Sequence, residues 1–177
     1  MKNRHSLILI CISGLIYILS GCGKTESGKE DKSMLMSEIN QTIDNWHKSA
    51  AQSDHAKYIG AMAEEGIYIG TDATEYWTTA SFSKWSKPYF DQGKGWDLKS
   101  LKRNVYLGNN ASFAWFDELL NTSMGLCRGS GVLQKANGKW QIFHYVLSPT
   151  VPNELTKEVM LLKHQQDSLI IHNLSPL

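Results

Sequence analysis

The chain lacks paired cysteines, an excess of charge of one sign and an apolar run long enough to cross a bilayer. Its 177 residues include three cysteines and no C-x-x-C pair, which excludes a disulfide-stapled miniprotein and a cysteine zinc site. The 18 basic residues nearly balance the 17 acidic ones, so we do not expect nucleic acid as a partner. With 42% hydrophobic and 20% charged residues, the composition is typical of one compact domain.

The first 22 residues have the pattern of a bacterial export signal. Lys2 and Arg4 precede an uncharged apolar run over residues 7–18, which is shorter than the roughly 20 residues that span a bilayer. Residues 19–22, Leu-Ser-Gly-Cys, then resemble the lipobox of bacterial lipoproteins. The resemblance implies a signal peptide over 1–21, acylation of Cys22, and membrane attachment in the cell envelope through that lipid. The outer membrane is favoured if the cell has one; an ordinary signal peptide and an uncleaved anchor are the alternatives.

A polar segment separates this signal from the first amphipathic element. Residues 22–32 contain no large apolar side chain and are predicted to form a flexible tether. From Ser33, a plausible N-cap, apolar residues recur every three or four positions up to the vicinity of Asp54, which predicts a helix. The stripe consists of Leu35, Ile39, Ile43, Trp46 and Ala50.

Shorter elements are expected next, followed by a run of strands. The pattern predicts a short helix at 55–62, a strand at 67–69, a turn at 70–72, and helical turns within 75–90 that end before Pro88. Four long strands are predicted at 96–107, 112–121, 125–134 and 139–148, with Asn137-Gly138 as a hairpin turn. A C-terminal helix is predicted at 153–168. We therefore expect an α+β fold, with a curved antiparallel sheet and helices packed on one face.

Several motifs within these strands resemble a known family. They are Trp115-Phe116-Asp117-Glu118, the run from Arg128 to Leu133, the run from Gly138 to Tyr145, and Val151-Pro152-Asn153-Glu154, together with Gly70-Thr71-Asp72 and Glu75-Tyr76-Trp77. These residues resemble SnoaL-like domains of the nuclear transport factor 2-like superfamily, which is related to ketosteroid isomerase. The resemblance implies a cone-shaped, cystatin-like sheet with a pocket, a domain over 33–154, and a C-terminal helix and tail over 155–177. It does not select an activity, because the superfamily includes enzymes and association domains.

Two residues are candidates for acid–base chemistry inside such a cone. Asp117 is placed beside Trp115 on one strand face, where an apolar surrounding raises a carboxyl pKa, as in ketosteroid isomerase. The alternative is a salt bridge to Arg128 on the next strand. His144 shares a predicted face with Ile142 and Val146 and titrates near neutrality, whereas a hydrogen-bonded core histidine is the alternative. Tyr145 lies on the opposite predicted face, so only one of this adjacent pair is expected to line the pocket.

Other residues are candidates for holding a flat apolar ligand. Tyr58, Trp77 and Trp115 are large aromatics of the kind that line such pockets, along with Trp85 and Trp96, although most are expected to fill the core. Arg128 is a candidate for an acidic ligand group. We expect no metal, because the histidines are scattered without a ligand spacing, and no cofactor is indicated.

Three functions remain open from the sequence. The first is a lipid-anchored envelope protein that binds a small, partly apolar ligand. The second is an acid–base enzyme of isomerase or hydrolase type using Asp117 or His144. The third is a dimerisation or protein-association module, in which a homodimer forms through the open sheet face.

Overall fold

A computed structural model describes residues 24–109 and 111–175; Cys22 and the predicted signal peptide lie outside this range. The elements, in chain order, are α1 (Lys24–Ala51), α2 (His55–Gly60), β1 (Met62–Ile69), β2 (Tyr76–Thr78), α3 (Thr79–Asp91), β3 (Lys99–Leu107), β4 (Phe113–Thr122), β5 (Gly125–Ala136), β6 (Lys139–Pro149), a 3-10 turn (Asn153–Leu155) and α4 (Thr156–Leu174). No helix of these two ranges has the length and apolar character needed to cross a membrane.

One six-stranded sheet organises the domain. Its order is β2-β1-β6-β5-β4-β3, and the four long strands β3 to β6 form the predicted antiparallel meander. β1 pairs parallel to β6 and antiparallel to the short β2. Helices α1 and α3 pack against this sheet, α1 over β3 and β6 and α3 over β1 and β2. The α+β architecture expected from the sequence is confirmed.

Helix α1 packs through the predicted apolar stripe. Ile39, Ile43, Trp46 and Ala50 are fully buried in the main core cluster. The helix does not begin at Ser33, however, but at Lys24, so residues 24–32 are helical where we predicted a tether. Lysine and glutamate have high helix propensity, which allows the helix to extend without any apolar stripe.

The prediction that the third helix ends before Pro88 is wrong. Residues 76–78 form β2, and Thr78 then caps α3 by accepting a hydrogen bond from the Ser81 amide at 3.2 Å. The helix contains Pro88 and continues to Asp91. Phe90 explains the extension, because it lies two residues after Pro88, is buried, and stacks on Tyr58 with ring centroids 5.3 Å apart. Burial of this ring offsets the backbone hydrogen bond that proline removes.

A bulge in β6 changes which side chains face the core. Val132 of β5 pairs with His144 and the next residue, Leu133, pairs with Ile142, so Phe143 is an extra residue in β6. Beyond the bulge the alternation is shifted by one position. Ile142 and Tyr145 are both fully buried as a result, although simple alternation places them on opposite faces.

Two glycines of β5 make room for this buried face. A Cβ atom at Gly129 would collide with the Tyr145 hydroxyl, and one at Gly131 would lie 2.6 Å from a ring carbon of Phe116. The absence of a side chain at both positions lets large side chains of β4 and β6 lie across β5.

Helix α4 extends from the domain. It is longer than predicted, none of its residues is buried, and it contacts the preceding 3-10 turn. Its apolar side chains are therefore largely exposed, including Leu162 and Leu174.

Candidate functional site

A pocket of about 250 Å³, called the end pocket below, lies at one end of the domain. Strands β1, β2 and β6 contribute to its lining, together with the loop from β1 to β2, helix α3, the segment that precedes β3 and the turn from β4 to β5. Its aromatic lining consists of Tyr68, Trp77, Phe82, Trp85 and Trp96. Leu98, Met124 and Leu147 add aliphatic surface, so the pocket is mostly apolar.

The aromatic wall is built by β2 and the first turns of α3. Trp77 of β2 stacks on Trp85 with ring centroids 4.5 Å apart, and Phe82 stacks on Tyr68 of β1 at 4.1 Å. Trp96 lies 5.9 Å from Trp85, and its indole Nε1 donates to the Tyr58 hydroxyl at 3.0 Å. Because the rings pack against one another, the aromatic wall has its shape before a ligand binds.

Two carboxylates lie among the lining residues. Glu75 Oε2 accepts a hydrogen bond from the Asp72 amide at 3.1 Å, and its side chain packs directly on Gly70, where a Cβ would collide with it. Asp97 pairs with Lys99 at 3.0 Å, with both side chains more than half exposed. The lining contains no lysine, arginine or histidine. The described part of the pocket is therefore negatively charged.

Tyr68 contributes ring surface to this pocket and is only 5% exposed. Burial raises the pKa of its phenol above the ordinary value, a hydrogen bond to Tyr58 lowers it in part, and the negative charge of Glu75 raises it further. The hydroxyl therefore keeps its proton at physiological pH, and it lies against Tyr58 in the core.

A second polar cluster lies deeper, between α1 and the sheet. Glu118 of β4 is 1% exposed and accepts from His47 Nε2 at 2.6 Å through Oε1 and from Arg103 Nε at 2.9 Å through Oε2. Arg103 Nη1 also contacts Asp44 Oδ1 at 2.7 Å, and the Tyr145 hydroxyl donates weakly to Glu118 at 3.4 Å. These contacts tie α1 to β3, β4 and β6.

The neighbours of Glu118 favour the ionised form of its carboxyl group. Burial alone raises its pKa, but the hydrogen bond and charge of His47, with the charge and hydrogen bond of Arg103, outweigh burial and bring the pKa below the ordinary value. Two nitrogens of the same cluster, His47 Nδ1 and Arg103 Nη2, are buried without a hydrogen-bond partner. Because the side chains of His47, Arg103 and Glu118 are almost fully enclosed, we interpret the cluster as a structural anchor of α1.

Both predicted acid–base residues lie away from the core. On β4 the buried side chains are Ala114, Phe116, Glu118 and Leu120, so Asp117 is on the outer face, where Asn104 Nδ2 donates to it at 3.1 Å. Within the described residues it forms no salt bridge with Arg128, which is exposed on that face. The expected cavity position of His144 is also wrong, because the bulge at Phe143 places Tyr145 in the core instead.

The four predicted ligand-binding residues are separated by the fold. Trp77 lines the end pocket, whereas Tyr58 is fully buried behind Trp96. Trp115 is 44% exposed on the outer sheet face, and Arg128 lies on the same face. Glu75 and Asp97 were missed as site residues, although the Glu75-Tyr76-Trp77 motif pointed to this segment.

No cluster of three or more metal-ligating side chains occurs in the described ranges.

Comparisons with known proteins identify the family of this domain. A family profile described as the SnoaL-like domain matches residues 39–152. No curated protein matches the chain.

Many solved structures share the architecture. An NTF2-like protein of unknown function from Pseudomonas putida KT2440 is 14% identical, with a TM-score of 0.59 over 69% of this chain and 91% of that one. A putative dehydratase of the NTF2-like family from Streptomyces avermitilis is 9% identical, with a TM-score of 0.57 over 68% and 99% of the two chains. A putative calcium/calmodulin-dependent protein kinase II association domain from Xanthomonas campestris is 19% identical, with a TM-score of 0.50 over 64% and 86%. These identities establish the fold alone, and the profile match covers more than half of the sequence; the chain therefore belongs to the SnoaL-like domain family and has the NTF2-like fold.

Proposed function

We propose that this protein is a lipid-anchored protein of the cell envelope whose SnoaL-like domain binds a small, partly apolar ligand in the end pocket. The observation that carries the proposal is the pocket itself, about 250 Å³ with a wall of stacked aromatic rings. Apolar concave sites with a few polar groups are where proteins bind small molecules. The volume suits a compact ligand of one or two rings.

The membrane anchor is proposed from the sequence alone. The lipobox-like residues 19–22 follow an apolar segment of signal-peptide length, and they place the acylated residue at Cys22. Two or three acyl chains bind a membrane stably, because each buried methylene contributes about 0.8 kcal/mol.

Binding is favoured over acid–base catalysis by the placement of the ionisable groups. Asp117 and His144 lie outside the core face, and neither lines the end pocket. Glu118 is buried and already accepts hydrogen bonds from His47 and Arg103, so its carboxylate has no open approach to a substrate. The end pocket supplies a recognition surface that consists mainly of aromatic rings.

The test is a titration of the full chain with tert-butylbenzene, a neutral aromatic probe, followed by calorimetry and by NMR of the tryptophan indole N–H groups. We expect saturable binding that shifts the signals of Trp77, Trp85 and Trp96. Trp85→Ala removes part of the wall and is expected to weaken binding about tenfold or more. Trp115→Ala on the outer face is the matched control. Absence of saturable binding, or equal weakening by both variants, would overturn the proposal.

A second candidate function, self-association, is favoured by the outer sheet face. Tyr106 and Trp115 stack at 5.5 Å, Phe113 lies 5.9 Å from Trp115, and all three rings are more than 40% exposed. Contiguous exposed aromatics are typical of protein interfaces. Sedimentation velocity of the full chain at micromolar concentration is expected to show a dimer that Trp115→Asp dissociates and Trp85→Ala does not. A wild-type monomer would contradict this candidate.

A further inference from the structure

We propose that the ligand of the end pocket carries a positive charge, in the form of an organic ammonium group on a compact apolar or aromatic body. This inference rests on the proposed ligand-binding function and adds the chemical class of the ligand.

The end pocket carries an unbalanced negative charge. Its lining includes Glu75 and Asp97 and no cationic side chain. Lys99 pairs with Asp97 at 3.0 Å and balances only that carboxylate. Glu75 forms no ion pair within the described residues, and the one hydrogen bond found there for its side chain uses Oε2, which leaves Oε1 available to a ligand. An anionic ligand would meet repulsion here, whereas a cation would gain attraction in a partly desolvated site.

The aromatic surface of the same pocket consists mainly of indole rings. Three of the five lining rings are indoles, of which Trp77 and Trp85 are stacked at 4.5 Å and Trp85 is 38% exposed. The indole face is the strongest aromatic site for a cation, and alkylammonium groups are recognised by such faces. Binding of a purely apolar ligand requires neither a carboxylate nor indole rings in particular.

Hydrogen bonds within its own loop hold Glu75 in place before any ligand binds. Gly70 N–H donates to the Glu75 carbonyl at 2.9 Å, and Glu75 N–H donates to the Asp72 carbonyl at 3.0 Å. The Asp72 carboxylate in turn accepts from the Thr74 amide at 2.8 Å. Because the loop is fixed by its own hydrogen bonds, binding a cation at Glu75 does not require ordering of this segment. Gly70 makes this possible, since a Cβ there would displace the Glu75 side chain.

The test compares three probes of similar shape and different charge on the full chain: phenyltrimethylammonium, neutral tert-butylbenzene and anionic benzenesulfonate. Dissociation constants are measured by calorimetry, and the indole N–H signals report where each probe binds. We expect phenyltrimethylammonium to bind about tenfold more tightly than tert-butylbenzene, and benzenesulfonate to bind more weakly than either.

Glu75→Gln is the variant that isolates the charge. It is expected to bring the cation and the neutral probe within about twofold of each other, while affinity for the neutral probe is retained. Glu64→Gln, an exposed position on β1 outside the pocket, is the matched control and is expected to keep the tenfold preference. Gly70→Ala, which displaces the Glu75 side chain, is expected to reduce the preference in the same way as Glu75→Gln.

The outcomes separate the two proposals. If the neutral probe binds the indole wall but the cation binds no better, the charge inference fails and the ligand-binding function stands. If Glu64→Gln lowers the preference as much as Glu75→Gln, the preference arises from overall charge, and the inference fails as well. If none of the three probes saturates, both proposals fail.

Discussion

His47 Nε2 lies 2.6 Å from Glu118 Oε1, although the two residues are 71 positions apart in the chain. The contact joins the C-terminal part of α1 to the middle of β4, and both side chains are almost fully enclosed. Arg103 reaches the second oxygen of the same carboxylate at 2.9 Å. Glu118 therefore accepts from two long-range partners that fix the first helix over the sheet, behind the aromatic core that supports the end pocket.

Removal of this carboxylate is expected to destabilise the domain strongly. Glu118→Ala leaves Arg103 and His47 buried without their acceptor, and breaking a buried pair in this way costs about 3–5 kcal/mol. Asp117→Asn, the neighbouring residue on the outer face, is the control and is expected to cost less than about 1 kcal/mol. The measurement is the free energy of unfolding in urea. Similar values for the two variants would show that the Glu118 cluster does not anchor α1.

The same carboxylate makes stability depend on pH. Its pKa is below the ordinary value in the folded protein, because His47 and Arg103 outweigh the opposing effect of burial. A carboxyl with a depressed folded pKa contributes stability above its unfolded pKa and loses it as pH falls through the folded value. The free energy of unfolding is therefore expected to fall below about pH 4.5, the ordinary value for glutamate.

Glu118→Gln isolates this contribution from other carboxyls whose pKa values are also lowered, such as Glu38 and Asp72. The variant is expected to show a shallower loss of stability between about pH 5 and 3 than the wild type. Denaturant unfolding at several pH values measures the slope. Parallel slopes in the two proteins would mean that Glu118 does not titrate differently in the folded and unfolded states.

Gly129 is expected to tolerate no side chain. A Cβ at this position would collide with the Tyr145 hydroxyl and lie 3.1 Å from Glu118 Cγ. Overpacking of this kind costs typically about 1–3 kcal/mol, so we expect Gly129→Ala to lower the free energy of unfolding by that amount. Gly60→Ala, where nothing lies within 4 Å, is the control and is expected to be neutral or slightly stabilising. A neutral Gly129→Ala would show that Tyr145 is free to move.

The proposed lipid anchor is tested by one substitution. Cys22→Ser removes the only residue that the lipobox-like motif offers for acylation. We expect the wild-type chain in the membrane fraction of its host with an acyl-modified peptide by mass spectrometry, and we expect the variant to lose that modification. An unmodified Cys22 in the membrane-associated wild type would contradict lipidation.

Periodicity and turn residues were sufficient to predict most of the fold. The stripe that includes Ile39, Ile43 and Trp46 identified α1, and Asn137-Gly138 identified the hairpin between β5 and β6. The extent of α1 was not predictable from an apolar stripe, because residues 24–32 are helical without one. The end of α3 was predicted wrongly at Pro88, because burial of Phe90 stabilises the helix beyond the position where proline disfavours it.

The site was harder to predict, because tertiary contacts decide which face of a strand points into the core. β4 carries large apolar residues on both faces, so hydrophobicity did not distinguish Phe116 and Glu118 from Trp115 and Asp117. The inward direction of Glu118 is determined by His47, which comes from α1, and by Arg103, its cross-strand partner on β3. In β6 the extra residue Phe143 shifts by one position which side chains point into the core. Nothing in the local sequence marks this bulge.

The central claim is that the end pocket holds the ligand, and the most direct measurement is the set of intermolecular NOEs between bound tert-butylbenzene and the full chain. The account predicts NOEs from the tert-butyl and ring protons to Trp77, Trp85 and Trp96. It also predicts none to Tyr106 or Trp115 on the outer face. NOEs confined to the outer face would contradict the account and would identify the outer sheet as the binding surface instead.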